Sequence, residues 1–257
     1  MIEYRNDDGV AVITLNAPKK LNALGLGDLA ALEAAYAQAE EDGVRALILR
    51  GEGRAFCAGR DIAGVNPAED DIPGYLDGAL RPLMRRMSMF PAPTFAAAQG
   101  AVLGVGLGLL IATDVVYVAE TAKFGSPFGK LGATLDSGGH ALFVDRLGAH
   151  RALDLIYSGD MISGAEAVRA GLFSRAYTLE ELDARVCDAA AAAAQGATQS
   201  FLASKAIVRR VRDERLGLWE SIDEESRAQT ALAATADYRE GFAAFNEKRT
   251  PVFTGEA

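Results

Sequence analysis

Residues 100–109 read GAVLGVGLGL, with glycines at 100, 104, 106 and 108. The apolar run before them, Thr94–Ala98, reads as a strand, and about Val105–Ala112 reads as a short helix. Glycines between a strand and a helix suggest first a dinucleotide fingerprint, G-x-G-x-x-G. That pattern needs a glycine three residues after Gly106, where this chain has Leu109. The segment also lies mid-chain rather than in a first βα unit, so the fingerprint fails. Two readings remain: a helix N-terminus whose free N–H groups can face an anion, or tight helix packing served by small residues.

On either side the pattern of elements is regular. Ile2–Arg5 and Val10–Leu15 flank the turn signal Asn6–Gly9, which predicts an opening hairpin. Leu29, Leu32, Tyr36 and Ala39 recur at helical spacing within residues 27–42, and Ala46–Leu49 reads as a buried strand. A loop covers 51–61, a segment rich in Pro and Asp covers 62–73, and a helix runs to about Met89. Asp114–Ala119 reads as a further strand. Strand, strand, helix recurs through this half, which predicts an α/β core of stacked ββα units.

From Ser137 onward the reading is nearly all helix. Ser163-Gly164-Ala165-Glu166 has capping-box spacing, and the alanine run 189–194 has strong helix propensity. Three further helical patterns fill Thr198–Lys248, with breaks near Gly217 and Asp237. That last part has little core of its own, so it is expected to pack on the main body or on another subunit. The division expected is a core over residues 1–195 and a helical region over 196–257.

Composition narrows the function. The 257 residues are 50% hydrophobic and 24% charged, with a formal net charge of −9. An acidic balance argues against nucleic-acid binding, which wants a basic face. The first residues carry acids and lack an apolar segment, and the apolar stretch 95–112 is broken by Gln99 and glycines, so neither a leader nor a membrane span is expected. Two cysteines and two histidines are too few for a disulfide framework or a metal centre, and a reducing cytoplasm is the natural compartment.

A second tight loop, RAFCAGRDI (54–62), also follows a strand. Its small residues, Ala58 and Gly59, let the backbone of Arg60 approach a ligand. Cys57 reads as a small core residue, because its neighbours are apolar. Further on, FGSPFGKLGATLDSGGH (124–140) holds Asp136, the one carboxylate between Glu120 and Asp145. From local sequence alone Asp136 is either the N-cap of the helix that follows or a group that does chemistry. Phe128, Leu131 and Leu135 are the apolar residues expected around it, and His140 reads as structural or exposed.

Taken together, NAPKKLNAL (16–24), RAFCAGRDI (54–62), GAVLGVGLGL (100–109), FGSPFGKLG (124–132) and GFAAFNEKRTP (241–251) resemble, in order, the signatures of the crotonase superfamily. These are the enoyl-CoA hydratase/isomerase proteins, and the resemblance spans nearly the whole chain. It implies a crotonase-type spiral of ββα units with a C-terminal helical trimerisation region, in trimers or hexamers. It also implies an acyl-CoA thioester substrate, with coenzyme A as part of the substrate and no permanently bound cofactor or metal. Two backbone N–H groups would hold the thioester oxygen as an enolate forms; by position they are those of Arg60 and Val105. The same resemblance sets Lys20, Leu21, Ala58, Asp61, Ile62, Gly104 and Lys248 against the coenzyme. Lys19, Lys20 and Lys248 are candidate partners for its phosphates, the last across a subunit interface, with a solvated surface charge as the alternative for each.

The chain departs from the hydratase pattern at two places. The resemblance puts the two catalytic glutamates of hydratases at the positions of Gly108 and Phe128, and neither residue can activate water. Asp136 instead matches the acid of enoyl-CoA isomerases and of the phenylacetate-pathway ring-epoxide isomerases. It also matches the nucleophile of chlorobenzoyl-CoA dehalogenases, although a tryptophan expected at Phe128 is missing. The expectation is therefore an acyl-CoA isomerase with Asp136 as its acid/base. The alternatives are a hydratase in which Asp136 positions water, and an acyl-CoA or RNA binder without catalysis, the RNA form disfavoured by the net charge.

Overall fold

The computed structural model describes residues 1–256. An antiparallel hairpin, β1 (Ile2–Asp7) and β2 (Val10–Leu15), opens the chain. Asp8 and Gly9 turn it at positive φ, a conformation that glycine and aspartate tolerate. Helix α1 (Leu26–Glu41) buries Leu29, Leu32, Tyr36 and Ala39 on one stripe, as their spacing requires. Strand β3 (Ala46–Gly51) follows, then a π-helical segment, Gly74–Leu80, that runs directly into α2 (Arg81–Ser88).

The next elements are β4 (Thr94–Ala98), β5 (Ala101–Leu103), α3 (Val105–Ile111), β6 (Val115–Ala119) and β7 (Lys123–Gly125). Helices α4 (Gly139–Leu147) and α5 (Ala149–Ser158) lead to β8 (Met161–Ser163), α6 (Gly164–Arg169) and β9 (Arg175–Tyr177). Four long helices end the chain: α7 (Leu179–Ala194), α8 (Thr198–Glu214), α9 (Leu218–Leu232) and α10 (Ala236–Glu247).

Two sheets result. The larger runs β1-β2-β3-β4-β6-β9 and is parallel after the hairpin. The smaller runs β5-β7-β8. Successive strands therefore part company: β4 joins the large sheet and β5 the small one, and β6 and β7 divide in the same way. This is how a ββα repeat winds into a spiral, and it confirms the expected crotonase-type α/β class. All five residues of β4 are buried, which fits a strand covered on both faces. Helix α7 lies on β3, β4 and β6. It buries Leu182, Val186, Ala190 and Ala194, so the alanine run is a packing stripe as well as a good helix former.

One expectation needs correction. Residues beyond Ser137 are not nearly all helix, because β8 and β9 lie among them. Each is three residues long, too short to display an alternating pattern, and each exists through pairing with a distant strand, β7 or β6. The capping box at Ser163 is present: its Oγ accepts from the Glu166 N–H, and Glu166 accepts from the Ser163 N–H at 2.8 Å.

Helices α8 to α10 bury little: Thr198 on α8, Asp237 and Ala244 on α10, and nothing on α9. Trp219, Phe242 and Phe245 stand exposed on them. Lys205 fastens α8 to the core, donating to the carbonyls of Phe90 (3.0 Å) and Ala92 (3.2 Å) and pairing with Asp114 at 2.8 Å. Among the described residues no helix is long and apolar enough to cross a membrane.

Candidate active site

Three loops converge where the sheets divide. Residues 54–62 and 100–109 run alongside each other, with Cys57 bridged to Val102 and the Leu103 N–H donating to the Cys57 carbonyl at 3.1 Å. Their glycines touch. Gly59, at φ +109°, has its missing Cβ position 3.1 Å from the Leu103 oxygen, and the missing Cβ of Gly104, at φ +50°, lies 3.8 Å from the Gly59 Cα. Neither a side chain nor ordinary backbone angles would fit at this crossing.

The residue after each glycine offers its N–H. Val105 is the first residue of α3, and its N–H is one of the donors a helix leaves unpaired. Neither it nor the Arg60 N–H finds an acceptor among the described residues. Val105 is 1% exposed, and buried N–H groups without a partner are rare in folded proteins. Two adjacent loops thus present unsatisfied donors, an arrangement suited to a developing oxyanion.

A third segment, residues 16–24, is stitched to the first loop. Asn22 is buried and donates to the carbonyls of Glu52 (3.0 Å) and Ala55 (2.8 Å), while the Ala58 N–H donates to the Leu21 carbonyl at 2.9 Å. Lys20 pairs with Asp61 at 2.9 Å and with Asp28 at 3.2 Å, so its ammonium is already shared by two carboxylates. Burial pulls its pKa down, but the hydrogen bonds it donates to Asp61 and Asp28 outweigh that and raise it. Ile62 is exposed and Ala58 half-buried beside these loops. Lys248 ends α10 in the left-handed region, and no hydrogen bond or ion pair among the described residues joins α10 to the three loops.

The Arg60 side chain has a place of its own. It forms a double hydrogen bond with Asp70 and stacks 4.5 Å from the centre of the Tyr75 ring. Tyr75 is buried, and its hydroxyl donates to the Leu24 carbonyl at 2.8 Å. Pairing with Asp70 outweighs burial and holds the Arg60 guanidinium above its ordinary pKa, with Asp136 among the smaller contributing charges.

Asp136 does not cap a helix with its carboxylate. Gly138 occupies the cap of α4, the Gly139 N–H donates to the Asp136 backbone carbonyl, and the carboxylate accepts a 2.7 Å hydrogen bond from the Ser137 hydroxyl. Ser137, at φ +55°, is pressed against α3 at Gly108. Phe128 lies over Gly104 and Leu135 is buried, but Leu131 is 66% exposed and forms no pocket wall. The loop bends away at Gly132, which is left-handed, and carries residues 131–134 into solvent. Asp136 instead opens onto a cavity of about 390 Å³ walled by Leu80, Met84 and Ile111. His140 is exposed, and burial pushes the Cys57 thiol up to about 12, which removes it as a nucleophile.

The model of the family described as Enoyl-CoA hydratase/isomerase matches residues 5–256. The chain belongs to the enoyl-CoA hydratase/isomerase family. It is 34% identical over 257 residues to the 1,2-epoxyphenylacetyl-CoA isomerase of Escherichia coli, covering 97% of each chain. It is 32% identical over 247 residues to the 2,3-dehydroadipyl-CoA hydratase of the same organism, with 96% of this chain and 95% of that one covered. The solved enoyl-CoA hydratase of Bacillus anthracis superposes with a TM-score of 0.90 at 31% identity, over 99% of both chains. This enoyl-CoA hydratase/isomerase family is the crotonase superfamily of the sequence resemblance, and its members act on CoA thioesters.

Several residues of this candidate site lie outside the motifs to which the sequence assigns a role. Asp70 and Tyr75 sit in a stretch without signature, and only the fold brings them to Arg60. Ser137 reads as a helix start, although its place directly after Asp136 is a usable signal. Asn22 lies inside a quoted motif, where its left-handed backbone (φ +56°) and three hydrogen bonds explain its identity.

Proposed function

We propose that the protein is an acyl-CoA isomerase that shifts a double bond, or opens a ring epoxide, through a thioester enolate. The observation that carries this reading is the filling of position 108. The space where a side chain would reach from α3 is taken by Ser137, whose hydroxyl instead holds Asp136. With Phe128 as a hydrocarbon over Gly104, Asp136 is the acid carried by the loop that packs on α3.

The chemistry needs no second acid. The N–H groups of Arg60 and Val105 donate to the thioester oxygen as negative charge builds on it, and one such donor is worth roughly 2.7–4 kcal/mol. Asp136 takes the proton from the carbon next to the thioester and returns it at the far end of the shifted double bond. No water is consumed and no atom is lost. Ala58, Gly104, Leu21, Lys20, Asp61 and Ile62 would line the path of the coenzyme. Residues 196–257 would form the oligomerisation region of a trimer or hexamer, and the exposed Trp219, Phe242 and Phe245 favour a covered face there. Lys248 would then reach the coenzyme of a neighbouring subunit.

Asp136→Asn tests the reading. Isomerisation of a 3-enoyl-CoA should vanish while acyl-CoA affinity stays within about twofold; unchanged turnover would end the proposal. A hydratase is the second reading, favoured by the hydratase names that most similar proteins carry. Crotonyl-CoA and a 3-enoyl-CoA incubated side by side separate the two, because hydration bleaches the 2-enoyl absorbance. A binder without catalysis would exchange no deuterium at the acyl α-carbon.

A further inference from the structure

The peptide that carries the free Arg60 N–H follows Gly59, at φ +109°, and a glycine leaves its own backbone easy to rotate. Its direction is set from outside the loop. Leu24 lies beside Arg60 in a parallel bridge: its N–H donates to the Gly59 carbonyl at 2.9 Å, and its carbonyl accepts from the Asp61 N–H at 3.0 Å. In such a bridge the bracketed residue turns its own N–H and C=O to the opposite edge. The planar trans peptide imposes the same direction, because the Arg60 N–H lies across the bond from the Gly59 carbonyl. Leu24 therefore fixes which way the free N–H points.

Two side chains outside the sequence motifs secure this bridge. The Tyr75 hydroxyl donates to the same Leu24 carbonyl at 2.8 Å, and its ring lies 4.5 Å from the Arg60 guanidinium carbon. Asp70 takes the edge of that guanidinium with both carboxylate oxygens, from Nη1 at 2.9 Å and from Nη2. A planar group held on its edge and on its face keeps little freedom to turn. Among the described residues, the other hydrogen bonds of residues 62–73 reach at most four positions along the chain. The Asp70 pair is thus the tie between that segment and the donor loop.

We propose that Asp70 and Tyr75 are positioning residues of the oxyanion site, which aim the Arg60 N–H by clamping the Arg60 side chain and the Leu24 carbonyl. This rests on the reading of Arg60 and Val105 as donors to a thioester oxygen, and it adds what holds one of them in place. Neither residue donates to the oxygen; both act through Arg60 and Leu24.

Infrared spectroscopy of a bound thioester tests it, because a hydrogen bond to the thioester oxygen weakens the C=O bond and lowers its stretching frequency. Butyryl-CoA, isotope-labelled at the thioester carbonyl, is bound to the wild type, Asp70→Ala, Tyr75→Phe and Asp71→Ala. The wild type should lower the band. Asp70→Ala and Tyr75→Phe should each give back a large part of that shift, with kcat down about 10- to 100-fold and KM within about threefold. Asp71→Ala removes a 2.8 Å acceptor from the Gly74 N–H in the same stretch, without a bond to Arg60, and should keep the wild-type band. An undiminished shift in Asp70→Ala or Tyr75→Phe, or an equal loss in Asp71→Ala, overturns the inference while the oxyanion reading stands. A wild-type band at the free-ligand frequency overturns that reading and the inference with it. The band needs no turnover, so it decides the matter whichever reaction the site performs.

Discussion

A Cβ placed on Gly108 would stand 2.5 Å from the Cβ of Ser137 and 3.1 Å from its carbonyl oxygen. The glycine is therefore a packing requirement of the loop that carries Asp136. Gly108→Ala should cost about 1–3 kcal/mol by overpacking. Ser137→Gly, which removes the opposing Cβ and relaxes a left-handed serine, should recover most of that loss. Chemical denaturation of the two single variants and the double variant measures the coupling; additive effects would show that the contact is not felt.

Val105 is the first residue of α3, where proline is well tolerated because the missing N–H has no helical partner. Val105→Pro should therefore keep the fold and delete one donor. If that N–H stabilises the enolate, turnover should drop by roughly 10²–10³ with acyl-CoA affinity little changed. Circular dichroism confirms the fold, and steady-state kinetics reads the loss. Turnover within about twofold of wild type would remove Val105 from the proposed oxyanion site.

Lys205 joins α8 to the core through two carbonyls and Asp114, with only 14% of its side chain exposed. Lys205→Met keeps the aliphatic stem but takes the ammonium from the Phe90 and Ala92 carbonyls and leaves Asp114 with the Thr94 N–H. The expected cost is about 1–3 kcal/mol. Hydrogen exchange should show the loss first in α8 and around Phe90–Ala92, the segments the ammonium ties together.

Glu240 accepts from Arg249 and from the Val252 N–H at 2.8 Å, so it holds the C-terminal segment against α10. The Arg249 hydrogen bonds, then the Val252 N–H, lower its carboxyl from 4.5 to about 2 in the folded protein. A depressed acid stabilises the fold fully above its unfolded pKa, and the contribution is lost as pH falls through the folded value. The difference in stability between wild type and Glu240→Gln should be level above about pH 5 and shrink as pH falls toward 2. Denaturation curves at stepped pH values check the direction.

Motifs bound to backbone geometry are legible in the chain itself. Gly59 and Gly104 read as close-approach glycines, and the two loops cross at those residues. Helix 26–41 also follows from periodicity within its own residues, and the alanine run of helix 179–194 from helix propensity. By contrast β8 and β9 leave no local signal, because three-residue strands exist only through partners far away in the chain. Leu131 stands beside Asp136 by adjacency alone, and a left-handed Gly132 turns that stretch into solvent.

By itself the amino-acid sequence determined the family, the α/β class and the candidate donors and acid, because these rest on local spacing and on residue types. Only the tertiary structure decided what surrounds Asp136. Ser137 holds its carboxylate and fills the space beside Gly108, the Arg60 side chain turns to Asp70 and Tyr75, and arginines of α2 and α8 line the same cavity. Those neighbours come from segments far apart in the chain, and the folding of the two sheets brings them together. No local pattern records such an encounter, since each residue type there is ordinary in its own stretch of chain.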